Sequence, residues 1–281
     1  MTTTAVRTGL VEANGTKLYH EIRGDGPPVV FISGGGGDAG VYQAVAELLA
    51  DTYTVVTYDR RGNSRSPKPP GWTSTTVGEQ ADDCIALIEA LGLERPVGFG
   101  NSGGGTILVG LLERYAGSLR GAIVHEPGLF TVTPKAAESS ERMVEIVTEE
   151  LAAHGDAAKA MERVGRWMFG DAFMDAVPAD LRERMDANQD VNVTIDGPSW
   201  TSFVPDEAAI AAVELPIHAA YGEDTTDPIT WLVEAAEWVS KVSGGPLHVV
   251  PGAHAGFVDR PAEFAEALRP ILASMFSEVQ T

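Results

Sequence analysis

At 281 residues, with 44% hydrophobic residues, the chain is long enough to bury a sizeable core, either as one large α/β domain with an insertion or as two modest domains. Forty acidic against twenty basic residues leave a formal charge of −20, which repels nucleic-acid phosphates and anionic membranes and argues against both as partners. A single cysteine, Cys84, allows no internal disulfide, Met1 to Leu10 lack an apolar stretch of signal-peptide length, and no segment approaches ~18 uninterrupted apolar residues, so a soluble cytoplasmic protein is expected.

In chain order, residues 8–13 and 16–22 read as two strands around Asn14-Gly15, a turn dipeptide that accepts positive φ, and form an antiparallel opening hairpin. Pro28 to Ser33 is a short apolar run of the buried-strand kind that passes directly into Gly34 to Gly37. Val41, Val45, Leu48 and Leu49 then recur at helical spacing, Tyr53 to Tyr58 reads as a strand, and Val77 to Leu91 as a helix with Cys84, Ile85, Leu87 and Ile88 inward. Arg95 to Phe99 and Gly121 to Val124 are further strands, separated by the helical run Thr106 to Tyr115. This alternation implies a mostly parallel sheet with helices on both faces.

From 131 to 206 the pattern turns helical without strand alternation, which predicts an inserted helical cap between core segments 1–130 and 207–281. Strands resume at Pro216 to Tyr221 and Pro246 to Val250 around the helical run Trp231 to Val242. A last helix opens near Asp259, with Pro261 in its first turn. The insertion carries Trp167, Met168, Phe169, Met174, Trp200 and Phe203; Trp167 and Phe169 are the candidates to line an apolar pocket.

Chemistry concentrates at Gly100-Asn101-Ser102-Gly103-Gly104, where strand, tight glycine turn and helix meet. A serine at such a corner takes a strained backbone that lifts its hydroxyl clear of the sheet. The N–H of Gly103, at a helix N-terminus, points toward any oxygen that turns negative when Ser102 attacks a carbonyl. A serine hydroxyl needs a base, and that base needs a third group to hold its tautomer. His254 is the candidate base because it follows the last predicted strand in a loop, whereas His218 and His248 lie within strands and His20 and His154 in an edge strand and the insertion. Neither H-x-x-x-H nor paired cysteines occur, so no metal site and no cofactor are expected.

Four segments in this order, Ser33 to Asp38, Asp59 to Ser66, the elbow at Ser102 and Pro251-Gly252-Ala253-His254, resemble the α/β-hydrolase fold family across nearly the whole chain. The resemblance implies Ser102 as nucleophile, His254 as base, and Gly35, counted back from Tyr42, as the second oxyanion donor beside Gly103. Asp59 and Arg60 are expected to pin loops by hydrogen bonds. In most of the family the acid lies three residues beyond a glycine after the strand that follows the lid; counted from Gly222, that slot holds Thr225. Two candidates follow: Glu126, at the tip of the strand after the nucleophile helix, as in some haloalkane dehalogenases and lactonases of the family, and the alternative Asp224. The expected activity is hydrolysis of a neutral, hydrophobic carboxylic ester or lactone through a serine acyl-enzyme. The alternatives are C–C bond hydrolysis, cofactor-free perhydrolysis, or a ligand receptor that keeps a hydrolase-like pocket. Dehalogenase and epoxide hydrolase activities are disfavoured because those relatives carry an aspartate where Ser102 stands. The partner expected is a small hydrophobic substrate, with a homodimer left open.

Overall fold

The computed structural model describes residues 5–277. The opening hairpin pairs β1 (Arg7–Ala13) with β2 (Thr16–Arg23) in antiparallel register around Asn14 and Gly15, both at positive φ. β3 (Pro28–Ile32) buries Val29, Val30, Phe31 and Ile32 in succession, as a strand covered on both faces must. After α1 (Gln43–Leu49), β4 (Thr54–Tyr58) runs parallel to β3 but antiparallel to β2.

Next come α2 (Val77–Ala90), β5 (Val97–Ser102), α3 (Gly103–Tyr115) and β6 (Gly121–Pro127). Between β6 and the next strand lie α4 (Pro134–His154), α5 (Ala157–Ala176), α6 (Ala179–Ala187), α7 (Gln189–Val191), a π-helical turn Asn192–Asp196 and α8 (Gly197–Thr201), followed by α9 (Glu207–Ala211). The chain closes with β7 (Ile217–Gly222), α10 (Trp231–Ser243), β8 (Leu247–Val250), the short α11 (Gly256–Asp259) and α12 (Pro261–Ser277). The last helix starts two residues beyond Asp259, because α11 takes up the turn predicted as its N-terminus.

The described strands form one eight-stranded sheet in the order β1-β2-β4-β3-β5-β6-β7-β8, parallel from β4 onward. One core layer joins α2, α3 and α10 to the sheet through Leu87, Ile107, Leu108 and Val239; the other joins α1 and α12 through Val45, Leu49, Phe264 and Leu268. Cys84 is buried in the first layer as a small hydrophobe. Among the described residues no helix is long and apolar enough to cross a membrane.

Polar contacts seat the helical segment between β6 and β7 on the loops at the carboxyl ends of the parallel strands. The Arg60 guanidinium donates to Asp196 Oδ2 at 2.6 Å and to the Gly34 carbonyl at 3.0 Å, and both charged side chains are buried. Asn188 donates to the Gly36 carbonyl, and Arg184 to Asp38. Asp59 accepts from the Ala39 and Arg65 amides, so Asp59 and Arg60 do tie loops together. The glycine loop after β3 is thereby held between the loop after β4 and the helices that follow β6.

Candidate active site

β5 ends at Ser102, which has φ 54° and ψ −127°, and α3 begins at the next residue. The turn demands glycine on both sides: a Cβ at Gly100 would lie 2.4 Å from the Gly104 carbonyl oxygen, and one at Gly104 would lie 2.0 Å from that of Ile32. A non-glycine residue with this backbone stores strain, and the surrounding close contacts keep it there. Ser102 therefore stands over the strand end, with the first amide of α3 beside it.

The loop after β3 lies against this corner. A Cβ placed on Gly34 would come 2.9 Å from Ser102 Cβ and 3.4 Å from the Gly103 nitrogen, so loop and elbow are in contact. Gly35 and Gly103 both line the cavity that Ser102 faces.

Glu126 reaches the site through an irregularity in strand pairing. Asn101 opposes His125 and Ser102 opposes Pro127, which leaves Glu126 as an extra residue with φ 40°. Such a bulge re-aims a side chain out of the normal alternation. The Glu126 carboxylate is fully buried, and its Oε2 accepts from His254 Nδ1 at 2.6 Å. Its Oε1 accepts from the Gly222 amide at 2.9 Å and the Thr225 hydroxyl at 2.6 Å. Burial alone would push its pKa up; the hydrogen bond and charge of His254, His125 and the Thr225 hydroxyl outweigh burial and hold it below the ordinary carboxylate range.

Asp224, the alternative acid, points elsewhere. Its Oδ2 accepts from Arg260 Nη1 at 3.1 Å, its side chain is 61% exposed, and Glu223 shares the same guanidinium. Both carboxylates belong to a surface ion pair of modest worth.

His254 follows β8 through Gly252, whose φ of 84° turns the loop back. Asn101, next to Ser102, clamps it: its side-chain amide donates to the His254 carbonyl at 3.2 Å and to His125 Nδ1 at 2.9 Å. No hydrogen bond joins Ser102 to His254 among the described residues; in free enzymes such contacts are often long and tighten when substrate binds.

The cavity has a volume of 740 Å³, within the range that takes a drug-sized molecule. Phe169 lines it, and its ring stacks on His254 with centroids 5.5 Å apart and planes 11° from parallel. Trp167, two residues earlier on α5, is not among the lining residues, which corrects the expectation that both aromatics shape the pocket. Residues i and i+2 on a helix point about 200° apart, so the side chains of Trp167 and Phe169 leave α5 in different directions. The wall is instead rich in thioethers: Met143, Met161, Met168, Met174 and Met185 all line it. Trp200 closes the side over Gly103, while Gln189 and Asn192 supply polar groups over Gly35 and Gly36.

His125 was not visible as a site residue from its strand context. Wholly buried in β6, its ring lies near-parallel to that of His254 with centroids 6.5 Å apart. Burial drives its pKa down to about 4, with Glu126 opposing and His254 adding to the fall. An unfolded chain takes a proton on this ring near 6.5, whereas the folded one does so only near 4. Stability is therefore lost as pH falls through that window. The melting temperature should drop from pH 6.5 toward 4, and His125→Asn should flatten that slope by about one proton even if it lowers stability at neutral pH. An unchanged slope in calorimetry would count against this account.

Residues 29–267 match the alpha/beta hydrolase family. An uncharacterized hydrolase, YraK, of Bacillus subtilis is 36% identical over 122 residues, which are 43% of this chain and only 45% of that protein's length. A zearalenone hydrolase of Bionectria ochroleuca is 26% identical over 92% of this chain and 95% of its own. Among solved structures, a thermophilic esterase from Thermogutta terrifontis superposes with a TM-score of 0.75 at 21% identity, covering 96% of this chain and 99% of its own. The enol-lactonase of Burkholderia xenovorans LB400 gives 0.75 at 19% identity, over 94% of this chain and 100% of its own. At these identities the superpositions speak for the fold alone. With the family match extending from β3 into the last helix, this chain belongs to the alpha/beta hydrolase family.

Proposed function

We propose that the protein hydrolyses a neutral, hydrophobic carboxylic ester or lactone through an acyl-enzyme on Ser102. The observation that carries this reading is the buried 2.6 Å contact between Glu126 and His254 Nδ1 in a site that Ser102 shares. An Nδ1–H held by a carboxylate leaves Nε2 as the free base. His254 takes the Ser102 proton as Oγ attacks the carbonyl, then returns it to the leaving alkoxide, and a water repeats the sequence to release the acid. The N–H groups of Gly35 and Gly103 receive the oxyanion. The residues outside 131–206 form the hydrolase core in this reading, and 131–206 the cap that supplies the substrate wall.

The thioether-lined cavity favours a bulky apolar substrate. Methionine side chains adapt to irregular outlines, and the chain's formal charge of −20 disfavours anionic substrates. The fitting experiment is a panel of p-nitrophenyl esters and lactones of graded size, with zearalenone included because two fungal relatives carry it in their names.

A cap residue that touches the substrate but does no chemistry should alter selectivity. Phe169→Ala should lower the ratio of kcat/KM for bulky over acetate esters about tenfold, the scale of one buried aromatic contact. Trp167→Ala should leave that ratio unchanged. Equal shifts from both variants would mean that cap folding, and not contact with substrate, is being measured.

A further inference from the structure

We propose that Thr225 is a positioning residue of the triad, its hydroxyl orienting the Glu126 carboxylate so that Oε2 is presented to His254. The inference rests on the acyl-transfer reading above and concerns the groups behind the acid. An ionised carboxylate only accepts hydrogen bonds, so the 2.6 Å contact has the Thr225 Oγ1–H as donor and Glu126 Oε1 as acceptor. The Gly222 amide donates to the same oxygen at 2.9 Å. Two donors, the last amide of β7 and the Thr225 hydroxyl, therefore occupy Oε1, and Oε2 is left for the imidazole at 2.6 Å.

That division of labour has a structural cause. Glu126 stands on a bulge with φ 40°, and its long side chain must cross to a histidine held by a different strand connection. A single donor would act as a pivot about which the carboxylate can turn. A second donor, arriving from a side chain and not from the β7 backbone, fixes the carboxylate plane. Thr225 is itself anchored by the turn that its amide closes onto the Gly222 carbonyl at 3.1 Å. One turn, Gly222 to Thr225, thus carries both donors. Asp224 inside it faces outward to Arg260, which leaves the inner side of the turn to the threonine.

The test compares Thr225→Val, which keeps the shape and removes the donor, with Thr225→Ser, which keeps the donor and removes the methyl. Thr225→Val should lower kcat on a p-nitrophenyl ester by roughly tenfold or more, the worth of a hydrogen bond to a charged group, with KM nearly unchanged. In proton NMR of the free enzyme, the far-downfield resonance of the His254 Nδ1–H should move or broaden away in Thr225→Val and persist in Thr225→Ser. The serine variant should recover most of kcat. A loop-packing role alone would lower the melting temperature without moving the resonance, and would be mimicked by Thr225→Ser.

Wild-type kcat and resonance in Thr225→Val, or a serine variant as impaired as the valine one, would overturn the proposal. Should Thr225→Val not fold, Thr225→Ala takes its place with the same readouts. Glu126→Gln is measured alongside. If it is crippled while the Thr225 variants are silent, only this inference fails; if it stays active, the acid assignment fails and the role of Thr225 falls with it.

Discussion

Replacing Ser102 with alanine should remove ester hydrolysis by roughly 10⁴- to 10⁶-fold, and His254→Ala should do nearly as much. In the proposed mechanism the two act as one unit in a single proton transfer, so the double variant should be no worse than either alone. The fold should survive both changes. Ser102 Oγ makes no hydrogen bond among the described residues, and alanine meets the same backbone cost at φ 54° as serine does. His254 leaves a larger gap, since its ring contacts Glu126 and Phe169, so a modest drop in melting temperature is expected there. The measurements are initial rates on a p-nitrophenyl ester, stoichiometric labelling by a fluorophosphonate, and thermal unfolding. A Ser102→Ala protein that keeps more than trace turnover would rule out the acyl-enzyme.

The parts of this site that could be read from the chain are those that depend on local spacing. The elbow is written in Gly100, Ser102 and Gly104, because each glycine answers a contact only a few residues away or with the adjoining strand. The place of His254 in the loop after the last strand was legible, and so was the hairpin around Asn14-Gly15. What escaped depends on pairing between distant segments. The bulge that turns Glu126 inward is a property of the register of β6 on β5, and no periodicity within residues 121–127 announces it. His125 becomes part of the site for the same reason, through Asn101 on the neighbouring strand.

The pocket wall was partly readable. Met168 and Phe169 precede, and Met174 follows, the break in α5 at Gly170, where φ is 80°, and all three face the cavity. Trp167 was set beside Phe169 by aromatic character, although helical geometry puts their side chains on different faces. Gln189 and Asn192 come from α7 and the π-helical turn, where the extra residue per turn shifts the facing side chains, and such turns recur at functional sites. Neither residue belongs to an apolar stripe, so hydrophobic patterning passes over both.

Glu126→Gln should lower kcat by roughly 10³- to 10⁴-fold, whereas Asp224→Asn should change it less than about threefold. The amide keeps the length and shape of the side chain but removes the charge that, in the proposed mechanism, stabilises the imidazolium as Ser102 attacks. It also disturbs tautomer selection. A carboxylate can only accept from Nδ1–H, which sends the lone pair to Nε2; an amide whose NH₂ faces Nδ1 stabilises the opposite tautomer, with the proton on Nε2 where the base is needed. The donors already on Oε1, Gly222 N–H and Thr225 O–H, require an acceptor there, so the glutamine turns its oxygen toward them and its NH₂ toward His254. The local hydrogen bonds thus select the unproductive orientation. Asp224 has none of this to lose: its carboxylate meets Arg260 at a solvent-exposed position, where an ion pair contributes at most about 1 kcal/mol. Steady-state kinetics with thermal unfolding as a control separate the two cases. A crippled Asp224→Asn beside an active Glu126→Gln would move the acid to the loop after β7 and overturn the assignment to the β6 bulge.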